Sequence, residues 1–119
     1  EESLAIDGAL AAEGATLSLL DALEKAGPFG AGHVAPVFVL PRHRLADARP
    51  VGTNHIRCEL QSDAGGRIPA IAFRAVDTVL GEFLFKNRGK SVHVAGSLSG
   101  NYWNGNRSVQ FRIVDAARA

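Results

Sequence analysis

Gly96-Ser97-Leu98-Ser99-Gly100-Asn101-Tyr102-Trp103-Asn104-Gly105-Asn106-Arg107-Ser108-Val109-Gln110-Phe111-Arg112-Ile113 is the stretch that decides the fold. Asn104-Gly105 is a preferred two-residue type I′ turn, because both positions accept positive φ, and a turn of that length sets the register of the strands it joins. Trp103 then faces Asn106, Asn101 faces Ser108, Ser99 faces Gln110 and Ser97 faces Arg112. On the other face Leu98 meets Phe111, Gly100 meets Val109 and Gly96 meets Ile113. One face is apolar and the other polar, so a slip of one residue would put Phe111 and Ile113 into water. Trp103 is the exception on the polar face. Gly96 and Gly100 fall on the apolar face, where a tightly coiled strand needs positions without a side chain, which favours a barrel over a flat sheet.

Upstream, strands are expected at about 44–51, 54–62 and 67–74, joined by turns at Gly52-Thr53 and Asp63-Ala64-Gly65-Gly66, an antiparallel meander. The apolar run Val37 to Leu40 predicts a further short strand. Val76, Val79, Leu80, Phe83 and Leu84 have helical spacing over 76–85, and Asn87 to Gly89 end it. Leu17, Leu20 and Leu23 predict a helix over 16–26 with Thr16 as N-cap and Gly27-Pro28 as its stop, preceded by a short strand around Leu4, Ile6 and Leu10. The sum is a mainly β (β-rich α+β) chain: an OB-like five-stranded antiparallel barrel with one inserted helix, behind an N-terminal strand-helix segment. A bare antiparallel sheet with one packed helix is the alternative. Residues 1–35 are expected to be a connecting segment at the tail of a preceding domain, and 36–119 the barrel domain.

The 119 residues suit one compact domain. The chain opens on Glu1-Glu2 and contains no methionine, so it is expected to be part of a longer protein. It has neither an apolar run approaching the roughly 20 residues of a membrane span nor the layout of a signal peptide, and a cytoplasmic origin is expected. A single cysteine, Cys58, excludes an internal disulfide and is expected to be buried.

Net charge is only +1, but it is unevenly spread. Residues 83–114 carry Lys86, Arg88, Lys90, Arg107 and Arg112 and no acid, a local footprint for phosphates or a solvated face. Trp103 and Tyr102 sit within this basic third, and aromatic faces stack on bases whatever their identity. Trp103 is equally suited to covering the barrel end or docking on a neighbouring domain. His55 shares a strand side with Arg57, within reach of a phosphate or base edge.

Catalytic patterns are missing. His33, His43, His55 and His93 lie on different elements with no metal-ligand spacing. There is no G-x-S-x-G elbow, and Ser97 and Ser99 are two residues apart as on the exposed side of a strand. Gly30-Ala31-Gly32 precedes an apolar strand instead of opening a helix, so it is no phosphate loop. No catalytic residue, metal ligand or cofactor is expected within the chain.

Glu24-Lys25-Ala26-Gly27-Pro28-Phe29-Gly30-Ala31-Gly32-His33, followed by Pro36-Val37-Phe38, resembles the P-F-G-x-G-N…P-x-F segment of RecJ-type exonucleases of the DHH superfamily, with His33 where asparagine is usual. Gly52-x-x-His55-Ile56-Arg57, Ile71-Ala72-Phe73, and Trp103-x-Gly105 with Gln110, Ile113 and Asp115 resemble later parts of the same family in the same order, so the resemblance covers nearly the whole chain. It implies the C-terminal OB domain of a 5′-to-3′ single-stranded-DNA exonuclease of recombination and repair. The metal-dependent core, with manganese or magnesium, would lie elsewhere in the parent, and this chain alone would be inactive. Its partners would be single-stranded DNA and those missing catalytic domains, with no membrane and a monomeric state. The expected DNA contacts are Trp103, Tyr102, Arg107, Lys90, Arg112, Arg88, Lys86, His55 and Arg57. The rival function is an interdomain or protein-protein interaction module that does not touch DNA.

Overall fold

The structure is a computed structural model and describes residues 5–26 and 35–119. The expected Gly27-Pro28 helix stop and the Pro28 to His33 stretch lie outside the described residues.

Strand β1 (Gly8–Ala9) and a 3-10 turn (Ala12–Gly14) lead into helix α1 (Leu17–Ala26). Then come β2 (Phe38–Val51), β3 (His55–Gln61), β4 (Arg67–Ala72), α2 (Val79–Lys86), β5 (Ser91–Trp103) and β6 (Asn106–Arg118). The sheet order is β1-β2-β3-β4-β6-β5, and a further β2–β5 pairing closes strands β2 to β6 into a five-stranded barrel of OB type. Within the barrel the β4–β6 seam alone is parallel, through Ala70↔Phe111 and Ile71↔Arg112, because α2 and β5 intervene and return the chain to the start of β6 in the direction of β4. Buried Leu40, Leu45, Ile56, Leu60, Val92, Val94 and Phe111 fill the interior, and Leu84 of α2 joins them, so the barrel encloses its own core.

The hairpin has the expected register, from Trp103↔Asn106 to Gly96↔Ile113. Its turn residues Asn104 and Gly105 have φ of 50° and 76°, as a type I′ turn demands. Gly96 is essential to the coil: a Cβ there would strike the Arg112 carbonyl and the Phe111 ring beside a register shift. Gly100 serves another purpose, since its open side is where α1 and Arg107 approach.

The expected break between 37–40 and 44–51 does not exist, because β2 runs as one strand of 14 residues. It bends instead at Pro41 and Arg42. Proline has no ladder N–H to lose, Arg42 takes a φ of 53°, and its N–H goes to His93 Nδ1 at 3.1 Å. Before that bulge β2 pairs with β5 and beyond it chiefly with β3, which is how one long strand closes the barrel. Helix α2 starts three residues later than its apolar spacing suggests. Thr78 sets the start, accepting the Gly81 N–H at 3.1 Å as N-cap.

The N-terminal segment is sewn onto the barrel. The β1 strand pairs in parallel with Phe38 and Val39, and Asp7 accepts the Val37 N–H at 2.8 Å. Ala12 donates its N–H to Nε2 of buried His43 at 3.0 Å, while His43 Nδ1–H donates to the Pro41 carbonyl at 2.8 Å. Ser62 donates to Glu13 at 2.6 Å, and that bond, more than any other influence, holds the Glu13 carboxyl below its usual pKa. Thr16 caps α1 through the Leu19 N–H, and buried Leu20 packs α1 against the hairpin. Cys58 is buried, and desolvation pushes its thiol up to about 12.

Candidate nucleic-acid interface

Because side chains alternate across a strand, the buried residues of each strand identify the outward ones. With Ala48, Cys58, Ala70 and Phe111 inside, the register carries one outward row across the barrel: Arg49↔Arg57↔Ile71↔Arg112↔Ser97. Its three charged members are all arginine. Arg49 and Arg57 stand directly opposite each other, a like-charge pairing that costs stability in the absence of an anion. Among the described residues neither Arg57 nor Arg112 has a carboxylate at ion-pair distance, and Arg49 has only Asp47 at 3.4 Å.

One step toward the β2–β3 turn, His55 and Phe73 meet edge to face with ring centroids 5.2 Å apart. The Arg112 guanidinium lies 5.2 Å from the Phe73 centroid. His55 Nδ1 accepts the N–H of Arg74, whose φ is 54°, at 2.9 Å. His55, Phe73, Arg74 and Arg112 line an open pocket of about 460 Å³, with Phe73 still 45% exposed. Arg57, Asn101, Trp103 and Ser108 line a second of about 410 Å³, over which Trp103 is 74% exposed. Each pocket thus combines an aromatic face, an arginine and a hydrogen-bonding side chain, which suits one unpaired nucleotide. On the far side of the arginine row the register turns acidic, with Asp47↔Glu59 and Glu59 paired to Arg67 at 2.9 Å. The basic band is therefore bounded along the barrel.

Trp103, His55, Arg57 and Arg112 come together on this face; the other expected contacts do not. Tyr102, 72% exposed, and Arg107 face each other on the back of the hairpin, since neighbours on a strand point to opposite sides. Arg107 lies 6.0 Å under the Tyr102 ring and is bound to Asp21 at 2.5 Å and Glu24 at 2.8 Å. The Asp21 bond, the largest influence, raises its pKa further. Lys86 pairs with Glu82 at 3.6 Å on α2. Arg88 covers Phe85 and donates to the Ala48 carbonyl at 3.2 Å. Lys90 immediately precedes β5 whereas Trp103 ends it, so the 13 residues of that strand separate them.

Phe73, Arg74 and Arg49 belong to the site and escaped the sequence reading. Phe73 carried a signal: it is an apolar residue at an outward position opposite His55. Arg49 was hidden by loop length. A two-residue turn at Gly52-Thr53 sets it against Ile56, whereas the actual three-residue loop pairs Val51 with His55 and Arg49 with Arg57.

The described histidines do not suit a metal. The His43 ring nitrogens both hold hydrogen bonds to the backbone, and Nδ1 of His55 and of His93 each accept a backbone N–H. Among the described residues no three His, Cys, Asp or Glu side chains gather as a ligand set, and no helix is long and apolar enough to cross a membrane.

Residues 6–115 match the family model of the RecJ OB domain. The single-stranded-DNA-specific exonuclease RecJ of Salmonella typhimurium is 34% identical over 110 residues, which are 92% of this chain and 18% of that protein. The crystal structure of RecJ in complex with Mn2+ from Thermus thermophilus superposes with a TM-score of 0.69 at 26% identity, covering 98% of this chain and 16% of that one. The second single-stranded DNA binding protein of Mycobacterium smegmatis shares the fold, with a TM-score of 0.53 at 14% identity over 70% of this chain and 84% of its own. By family model, by sequence relative and by fold, the chain belongs to the RecJ OB domain family.

Proposed function

We propose that the outward face of β3, β4 and β6, with the hairpin tip, grips single-stranded DNA for a longer exonuclease of recombination and repair acting from the 5′ end. Residues 36–119 are the grip and residues 1–35 the strut that joins it to the rest of that protein. Hydrolysis, and the manganese or magnesium it needs, belong to the remainder of the protein, and the location is cytoplasmic. The observation that carries the proposal is the arginine row, flanked by two aromatic pockets.

The chemistry favours an unpaired strand. Arg49, Arg57 and Arg112 offer charge to successive phosphates, while Trp103 and Phe73 offer rings to bases. A duplex keeps its base faces inside the stack and cannot use those rings. Stacking does not discriminate among bases, which suits a strand of any sequence.

Titration of a fluorescent oligothymidylate at several salt concentrations tests this. Three phosphate contacts give a slope of log K against log salt near about −2, at roughly −0.7 per contact. Trp103→Ala and Phe73→Ala should each weaken binding about 5- to 150-fold, the equivalent of about 1–3 kcal/mol per stacked base, and leave the slope unchanged. Absence of binding at every salt concentration would overturn the grip in favour of an interaction module.

A further inference from the structure

Beyond the barrel the hairpin has little to hold it. Among the described residues, 99–103 of β5 and 106–110 of β6 pair only with each other, because β2 reaches β5 no further than Gly96 and β4 reaches β6 only at Phe111 and Arg112. A two-stranded ribbon is marginally stable alone and twists freely. This ribbon carries Trp103 at its end.

Its back is buttressed by α1. Leu20 is buried there, with a methyl 3.7 Å from where a Cβ on Gly100 would stand. The Arg107 side chain crosses the same open glycine, with Nε 3.4 Å from that point, and is only 24% exposed. Asp21 and Glu24, three residues apart on one side of α1, each bind a different terminal nitrogen of its guanidinium. A planar fork held at both tips resists rotation in a way a single ion pair does not. Arg107 Nε has no hydrogen-bond partner among the described residues, so Asp21 and Glu24 supply the anchorage.

We propose that Arg107 is a positioning residue for single-strand binding: locked between Asp21 and Glu24, it fixes the hairpin against α1 and thereby holds Trp103 beside Arg57. This rests on the grip proposed above. It reassigns Arg107 from the DNA to the scaffold, and it makes two acidic residues necessary for holding a polyanion.

The sign of that last consequence is the test. Removing acids from a DNA-binding protein raises its positive charge and, by long-range attraction alone, tightens binding. The latch demands the opposite. Oligothymidylate affinity is measured at several salt concentrations for the 119-residue chain, whose barrel encloses its own core, alongside a thermal melt and the fluorescence anisotropy of Trp103, the single tryptophan. The Asp21→Asn/Glu24→Gln double variant and Arg107→Gln should each weaken binding about fivefold or more, the lower end of what losing one stacked base costs. The salt slope should stay unchanged, the fold intact and the Trp103 anisotropy lower, with Arg107→Lys restoring part of the affinity. Unchanged or tighter binding by the double variant overturns the latch. So does a slope that becomes shallower by about 0.7 in Arg107→Gln, which would make Arg107 a phosphate contact. If Trp103→Ala is itself silent, the grip has failed; if Trp103→Ala weakens binding and the latch variants do not, only the latch has.

Discussion

Arg57→Gln should make the domain more stable and its hold on DNA weaker. Arg49 and Arg57 are direct cross-strand neighbours on the outward face, so their Cβ atoms are about 5 Å apart. With the guanidinium groups splayed to roughly 6 Å in water, the repulsion is about 0.7 kcal/mol, and physiological salt reduces it to about 0.3 kcal/mol. Relief of that repulsion should raise Tm by about 1–4 °C in a domain of this size. Binding moves the other way. One phosphate contact fewer removes about 0.7 from the salt slope, which at 0.1 M salt is about a fivefold loss of affinity. Thermal melts by circular dichroism and anisotropy titrations of labelled oligothymidylate between about 0.05 and 0.4 M salt read both effects on one sample. A lowered Tm, or an affinity loss with no change in slope, would refute the view of Arg57 as a charge kept for a phosphate at the expense of the fold.

Phe111→Ala empties the barrel beside Leu98 and Ala70, where Phe111 is fully buried, and should cost about 3–5 kcal/mol in a urea melt; a loss under about 1 kcal/mol would contradict a tightly closed core. Glu13 has a carboxyl pKa below its ordinary 4.5, so the tie it makes to Ser62 contributes fully above that value and is lost as pH falls through the lowered one. Amide exchange at Gly66, whose N–H is held by the Ser62 hydroxyl, should therefore accelerate as pH drops from about 5 to about 3 after correction for intrinsic rates, and Glu13→Gln should remove the dependence. With its thiol at about 12, Cys58 should resist a thiol reagent near neutral pH until denaturant is added; rapid stoichiometric reaction of the folded chain would contradict its burial.

Local chemistry was legible in the sequence. Asn104-Gly105 admits one turn, so every cross-strand pair from Trp103↔Asn106 to Gly96↔Ile113 follows from it. Thr16 marked the start of α1, and the meander showed in its alternation. What escaped depended on geometry that no window of residues contains. The gap expected between Leu40 and residue 44 is a bend within one strand, because the missing N–H of Pro41 falls at a bulge between two partner strands. Lys86, Arg88 and Lys90 are near Trp103 in the basic third, but Lys90 sits at the opposite end of β5, Lys86 pairs with Glu82 and Arg88 is tied to the Ala48 carbonyl. Tyr102 and Arg107 were placed with Trp103 by adjacency, although the register already assigned them to the other side. Arg49 and Phe73 joined the site only once a three-residue loop and the barrel closure set which positions share a row.

The parallel seam between β4 and β6 is short, with only Ala70↔Phe111 and Ile71↔Arg112 in register. It is the shortest ladder in the barrel wall. Arg57 on β3 and Arg112 on β6 stand on either side of it. Under the proposed grip, a phosphodiester chain held by both would cross the seam from outside like a suture, so that cargo on the surface would also brace the closure of the interior.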